Sequence, residues 1–131
     1  MMTKNISITI VFLVGLGLIF LGARFLVSPE TAEAGYGIRF NEQGDYSFHY
    51  IKGIRDLFAG LIFCILVLSK ETKALGITLL VGAIIPFVDM LIVLSKNYNG
   101  ITPAISHISA IIVCTTLGII LIMNKSEKKA V

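Results

Sequence analysis

The chain has 131 residues, of which 56% are hydrophobic and 15% charged, and its mean hydropathy is +0.90. A soluble domain of this length buries only part of its surface and cannot hide so much apolar side chain. The net charge of +3 is small, and no basic stripe is interleaved with aromatic residues, so a nucleic-acid-binding protein is also excluded. The composition instead predicts the lipid bilayer as the partner of this chain.

Four long apolar runs follow one another along the sequence. Each is long enough to cross a hydrocarbon core about 30 Å thick. Inside lipid the backbone must satisfy its own hydrogen bonds, so each run is predicted to be a helix. We therefore expect an all-α fold, an integral membrane four-helix bundle that forms a single domain over residues 1–131, with helices at roughly 6–27, 51–69, 72–95 and 101–123.

The connections between these runs differ in length. Residues 70–73 form a short polar turn, which predicts a hairpin of the second and third helices, and residues 96–100 form another turn. The longer polar loop 28–50 begins with Pro29, which is expected to end the first helix, and contains three glycines that break regular structure. Residues 32–34 also resemble a signal-peptide cleavage site, but the preceding run is longer than a signal-peptide core, so we favour a retained membrane helix.

The distribution of basic residues predicts the orientation. Six lysines lie at the N-terminus, in the 70–73 turn and in the C-terminal tail: Lys4, Lys70, Lys73, Lys125, Lys128 and Lys129. The other side carries fewer basic residues: Arg24, Arg39, Lys52 and Lys96. Because cytoplasmic loops are enriched in lysine and arginine, we predict a multi-pass protein of a bacterial plasma membrane, with both termini cytoplasmic and loop 28–50 outside.

Ionisable residues inside the predicted helices are few and all lie in the outer third of the bundle: Arg24, Lys52, Arg55, Asp56, Asp89 and His107. Such residues cost about 2.5–3.5 kcal/mol each at the membrane centre and commonly mark functional sites. Asp89 and His107 are each placed roughly 9 Å below the outer surface, at about 1.5 Å per residue. This one-sided convergence predicts a shared polar pocket that opens outward.

Helical spacing adds detail to this pocket. Lys52 and Asp56 share one face of the second helix, and Lys52 is expected to reach toward water. Pro86 cannot donate a backbone hydrogen bond, which predicts a kink beside Asp89. The fourth helix carries a ridge of small residues, next to His107, that permits close helix contact: Thr102, Ser106, Ala110, Cys114 and Gly118.

These positions give a candidate ligand-binding set of Arg24, Arg55, Asp56, Asp89 and His107. Arg55 is suited to hold a carboxylate through two parallel hydrogen bonds. The catalytic candidates are Asp89 and His107 as an acid–base pair, with Arg55 as an electrostatic stabiliser. Each residue also has a structural interpretation, as an ion pair that fixes a helix end, a side chain that reaches the headgroups, or a buried histidine with a satisfied hydrogen bond.

No cofactor and no metal site are expected. Cys64 and Cys114 lie inside apolar runs, with no Cys/His cluster, which argues against structural zinc. Buried cysteines are usually packing residues, so a disulfide is not expected either. The aromatic residues of the outer loop are interpreted as an interfacial belt or, alternatively, as a lid over the pocket: Tyr36, Phe40, Tyr46, Phe48, His49 and Tyr50.

Several features resemble a family of small bacterial membrane proteins of unknown function. They are the four-helix layout, Pro29 after the first helix, the motif Gly53–Ile54–Arg55–Asp56–Leu57 that opens the second helix, Asp89 in the third and His107 in the fourth. That family is similar in size and layout to the DoxX-like four-helix membrane proteins. The resemblance covers nearly the whole chain and implies a four-helix bundle, with no established activity.

Four functions fit these observations. The first is binding or handling of a small amphiphile, such as a lipid headgroup or a quinone-like molecule, whose acidic group meets Arg24 and Arg55. The second is an intramembrane enzyme that uses the Asp/His/Arg constellation. The third is a proton-coupled transporter subunit with Asp89 as the proton carrier, which we rank lower because the inner half lacks a polar path. The fourth is a purely structural network, and the sequence leaves a homo-oligomer open.

Overall fold

The computed structural model describes residues 2–38, 44–97 and 100–123, and the regular structure in these ranges is entirely α-helical, as predicted. The helices are α1 (Met2–Val27), α2 (Pro29–Glu33), α3 (Ser47–Leu68), α4 (Thr72–Gly82), α5 (Ile84–Leu94) and α6 (Thr102–Met123). Some residues used for the predictions lie outside the described ranges: Arg39, Phe40, Lys125, Lys128 and Lys129.

Three segments are long and apolar enough to cross a membrane: Thr3–Val27, Thr72–Leu94 and Thr102–Met123. In the apolar stretch of each, 22% or fewer of the residues are buried inside the protein, which leaves most of the surface for lipid. The chain is therefore a multi-pass helical membrane protein. α3 has 22 residues, which is long enough, but it carries Lys52, Arg55 and Asp56 and is therefore not among these apolar segments. A fourth crossing stays a prediction.

The helices pack as two antiparallel pairs. α1 lies along α3, and the α4–α5 segment lies along α6, while the two pairs meet through smaller α1–α6 and α3–α4 contacts. The short turn between α3 and α4 is present, but α3 packs mainly on α1. The hairpin predicted from that turn is therefore not the main packing unit of this fold.

Glycines set the close approach of α1 to α3. A Cβ added at Gly22 would lie 2.6 Å from the carbonyl oxygen of Gly53, and one at Gly60 would lie 2.5 Å from the carbonyl oxygen of Gly15. No side chain fits at either distance. The backbones touch at these two points, as small residues allow between membrane helices.

A third close approach joins α4 to α6. A Cβ at either Gly76 or Gly118 would lie 3.0 Å from the carbonyl oxygen of the other. The small-residue ridge was predicted on the helix that is α6 in the structure. Its residues Cys114 and Gly118 are buried, whereas Thr102 and Ser106 are exposed. The ridge therefore serves packing in its C-terminal half.

Helix boundaries differ from the predictions in four places, and the first is that α1 begins at Met2 rather than near residue 6. The predicted third helix is divided at Ala83 into α4 and α5, three residues before Pro86 and six residues before Asp89, beside which the kink is predicted. The predicted outer loop contains α2, because Pro29 occupies the first turn of a short helix as well as following α1. α3 begins at Ser47, earlier than expected, so the loop is shorter.

Substitution Gly22→Ala is expected to lower the stability of the protein in detergent by roughly 1–3 kcal/mol, because the new methyl group overpacks the α1–α3 contact. Gly17→Ala on the same helix is the matched control, since nothing lies within 4 Å of a Cβ there. Thermal unfolding with a thiol-reactive dye measures both, because Cys64 and Cys114 are buried and free in the folded protein. Equal unfolding temperatures for the two variants would contradict the close approach.

Candidate functional site

The buried polar side chains gather at one end of the bundle, which we call the α2 end because α2 and the residues after it up to Ile38 lie there. They are His49, Lys52, Asp56, Asp89 and His107. Among the described residues, Ser7 is the buried polar residue that lies toward the opposite end. The convergence predicted from helix depth is thus present in the structure.

An ion pair between Arg55 and Asp89 joins α3 to α5. Nη2 of Arg55 donates to Oδ2 of Asp89 at 2.8 Å, and Nη1 donates to Oδ1 at 3.4 Å. The guanidinium therefore binds the carboxylate in a bidentate manner. The Asp89 side chain is 10% exposed and the Arg55 side chain 34% exposed. The carboxylate is therefore enclosed, whereas the guanidinium reaches the surface.

A second ion pair extends this contact along α3. Nζ of Lys52 donates to Oδ2 of Asp56 at 2.6 Å, and Nε of Arg55 lies 3.7 Å from Oδ1 of the same carboxylate. Two cations and two carboxylates thus form one continuous network, which we call the ionic network, from Lys52 through Asp56 and Arg55 to Asp89. Its formal charges cancel, as buried charges require.

Lys52 corrects one expectation. Its side chain was predicted to reach toward water, but the residue is 7% exposed. Its Nζ lies 4.5 Å from the ring centroid of Tyr36 and 5.1 Å from that of Phe25. Two aromatic faces and the Asp56 carboxylate therefore replace water around the ammonium group.

Tyr36 closes the network from the side of the 28–46 connection. Its ring meets Phe25 and His107 edge-on, with centroids 6.1 and 5.1 Å apart, and the residue is 8% exposed. Its phenol lies beside the Asp89 carboxylate and the Arg55 guanidinium. Burial, followed by the nearby Asp89 carboxylate, raises the pKa of Tyr36 above the ordinary phenol value.

His107 lies beneath Tyr36 with one ring nitrogen unsatisfied. The ring lies against Tyr36, and the residue is 8% exposed. No described residue provides a hydrogen-bond partner for its Nε2. A buried polar atom without a partner costs about 1–3 kcal/mol, so such an atom requires an explanation.

Arg24 lies apart from the network. Its Nη2 donates to the backbone oxygen of Thr31 in α2, at 3.3 Å and in an exposed position. The structure therefore brings together four members of the predicted set but separates the fifth.

Other contacts hold α2 against the bundle. Nε2 of His49 lies 2.8 Å from Oε2 of Glu33, which ties α3 to α2. The hydroxyl of Tyr46 donates to the carboxylate of Glu30. The sequence interpretation missed His49 and Tyr36 as individual site residues. The available signal was the cluster of aromatic residues in the outer loop, which does not indicate which rings turn inward.

A groove of about 410 Å³ runs along the outside of α3 beside the ionic network. Its lining residues are Ile54, Arg55, Leu57, Phe58 and Leu61. Its walls are apolar, and Phe58 is 66% exposed, so the groove faces lipid. Asp56, Asp89 and His107 do not line this groove. The outward pocket stays a prediction, and Arg55 is the network member that borders the groove.

The fold and the network define a multi-pass helical membrane protein with an enclosed ionic cluster. Among the described residues, no three His, Cys, Asp or Glu side chains gather as a metal site requires. A family model described as a domain of unknown function, DUF4267, matches residues 15–121, and the chain belongs to this family. No curated protein and no solved structure matches the chain significantly.

A double-mutant cycle tests the Arg55–Asp89 pair. Arg55→Gln or Asp89→Asn alone leaves one charge without its partner, and we expect each to lose on the order of 3 kcal/mol, at the low end for buried pairs because Arg55 is partly exposed. The double variant is expected to recover much of this loss, and thermal unfolding in detergent gives the coupling energy. Additive losses would show that the two side chains do not interact.

Tyr36→Phe tests the position of the phenol while keeping the ring. Because the folded protein favours the neutral phenol, its stabilisation is complete below the ordinary phenol pKa and is lost as pH rises beyond about 10. Wild-type stability should therefore fall more steeply than that of the variant between about pH 9 and about pH 11. Tyrosinate absorbance is the second readout. If the phenol that the variant lacks is one that titrates at the ordinary tyrosine pKa in the wild type, Tyr36 is not buried, and the structure is contradicted.

Proposed function

We propose that this protein binds an amphiphile with an acidic headgroup at the α2 end, with the headgroup at Arg55 and the tail in the groove on α3. The observation that carries the proposal is the position of Arg55. Its guanidinium is held inside by Asp89, while a third of the side chain stays exposed beside an apolar groove. A cation fixed next to a lipid-facing groove matches the two parts of an amphiphile.

Arg55 retains hydrogen-bonding capacity for a ligand. A guanidinium has five N–H donors, and Asp89 accepts from two of its nitrogens. Nε is buried and lies 3.7 Å from Oδ1 of Asp56, so a ligand cannot reach it, but Nη1 and Nη2 each carry a second N–H beside the one directed at Asp89. A ligand carboxylate can therefore add hydrogen bonds without displacing Asp89.

Selectivity in this proposal comes from the headgroup. Lipid tails are as apolar as the groove, so moving an acyl chain from lipid into it gains little free energy. A charge-assisted hydrogen bond in low dielectric is stronger than its counterpart in water. Amphiphiles that share a tail but differ in charge should thus differ in affinity.

We also propose that α3 is a fourth crossing and that both termini are cytoplasmic. α3 lies close to α1 at two pairs of glycines, Gly22 with Gly53 and Gly15 with Gly60. Because α1 is a candidate membrane span, this contact supports a membrane crossing by α3 as well. The sequence supports the orientation, because six lysines lie in the N-terminus, the 70–73 turn and the C-terminal tail. In this arrangement the ionic network lies near the outer interface, where charge is less costly than at the centre.

Dodecanoate is expected to raise the unfolding temperature of the protein in neutral detergent, whereas dodecanol, with the same tail and no charge, is not. The neutral double variant Arg55→Gln/Asp89→Asn keeps the charge balance and should lose the response. Leu61→Trp fills the groove and should also lose it. Ile65→Trp is the control, because Ile65 is 53% exposed one turn further along α3 and does not line the groove.

Two results would overturn the proposal. One is an equal response to dodecanol, which would remove any role for the charge. The other is an undiminished response in the neutral double variant, which would place the headgroup away from Arg55.

An intramembrane enzyme is the second candidate, and one observation favours it. Nε2 of His107 is buried beside Tyr36 without a described partner, as a general base awaiting a substrate proton would be. An enzyme would keep ligand binding but lose turnover in His107→Gln, whereas a binding protein would show no turnover to lose. The transporter alternative rests on the sequence alone.

A further inference from the structure

At the end of the bundle opposite α2, we infer a binding site for the phosphate headgroup of an anionic phospholipid, built by Lys4 and Lys70. A cavity of about 350 Å³ lies where the start of α1 meets the turn between α3 and α4. This volume falls within the range of small-molecule sites. The inference concerns residues outside the ionic network and does not depend on the proposed function.

The lining of this cavity is amphipathic. Lys4 and Lys70 supply two ammonium groups, and Asn5 and Thr72 supply an amide and a hydroxyl. The apolar part includes Leu75, which is 1% exposed. No acidic residue is among the lining residues. Two cations beside an apolar wall at a membrane interface suit a phosphodiester whose acyl chains continue into lipid.

The backbone at Lys70 places its side chain just beyond the end of α3. Lys70 has φ +61° and caps α3, where its N–H donates to Val67 at 3.0 Å and the N–H of Glu71 donates to Leu66 at 2.9 Å. Helices usually place glycine at this left-handed position, because a Cβ is strained there. The Lys70 side chain therefore extends from the end of α3 at a position where many helices have no side chain.

The start of α4 adds to the positive electrostatic potential of the two lysines. Thr72 is the first residue of this 11-residue helix and lines the cavity. The N-cap residue Glu71 is acidic but does not line the cavity, and the first turn contains no acidic residue. The N-terminal end of a helix carries partial positive charge and attracts anions. Lysines and helix terminus thus favour an anion at the same place.

The test uses the full protein in neutral detergent and measures unfolding temperature with and without dioctanoyl phosphatidylglycerol. Phosphatidylglycerol should raise the unfolding temperature by several degrees, as a ligand of the folded state does, while dioctanoyl phosphatidylcholine should not. Lys70→Gly should unfold at the same or a higher temperature without lipid, because the strain is relieved, yet lose more than half of the lipid-induced shift. Lys4→Gln should lose a similar share without the change in backbone.

Lys73→Gln and Lys96→Gln are the controls, since they remove the same charge from residues that do not line the cavity. An equal loss in these variants would overturn the inference, because it would show general surface attraction. An equal shift with inorganic phosphate would also overturn it by indicating a free-anion site. The variant Arg55→Gln/Asp89→Asn should keep the phosphatidylglycerol shift, which separates this site from that on α3.

Discussion

The ion pair of Arg55 with Asp89 joins the two halves of this bundle at the α2 end. Within each half, helices approach at glycines and need no polar contact. Between the halves the helix contacts are smaller, and apolar side chains gain little by leaving lipid for one another. A bidentate ion pair has one geometry, so it fixes how α3 and α5 sit relative to each other. Its desolvation cost means that it specifies the arrangement more than it adds net stability.

This constraint explains the surroundings of the network. An enclosed charge must be matched, so Asp56 and Lys52 complete the balance, and the rings of Phe25 and Tyr36 cover the ammonium group. Tyr36 seals the cluster from the side of the connection. The exposed part of Arg55 lies on the lipid-facing side of α3, so a ligand would reach it from the lipid. The proposed site therefore opens toward the bilayer, and not toward the outer aqueous phase as the sequence predicts.

The membrane helices and the depth of the polar groups were predictable from local rules. The length of each apolar run, compared with bilayer thickness, predicts helices. The residue count from a helix end predicts that Asp89 and His107 lie at the same depth, in the same outer third of the bundle as Arg55. Pro86 predicts the interruption of α4–α5 because the missing N–H is a property of that residue alone. These inferences need no knowledge of which helices are neighbours.

The remaining features depend on tertiary contacts. The pairing of α1 with α3 was signalled by glycines seven residues apart on each helix, Gly15 with Gly22 and Gly53 with Gly60, but the spacing does not name the partner. The inward turn of Tyr36 and the outward turn of Arg24 follow from how α2 crosses the bundle end. The resemblance to DoxX-like proteins rests on sequence motifs alone, and the family to which the chain belongs has no described activity.

Photo-crosslinking tests the central claim, that an acidic amphiphile lies on α3 with its headgroup at Arg55, most directly. A dodecanoate with a diazirine at the tail would be activated on the protein in lipid nanodiscs, and the adducts mapped by mass spectrometry. We predict adducts concentrated on Phe58 and Leu61, displaced by unlabelled dodecanoate and lost in the Arg55→Gln/Asp89→Asn variant. Adducts spread evenly over the lipid-facing side chains, or unchanged in that variant, would contradict the account.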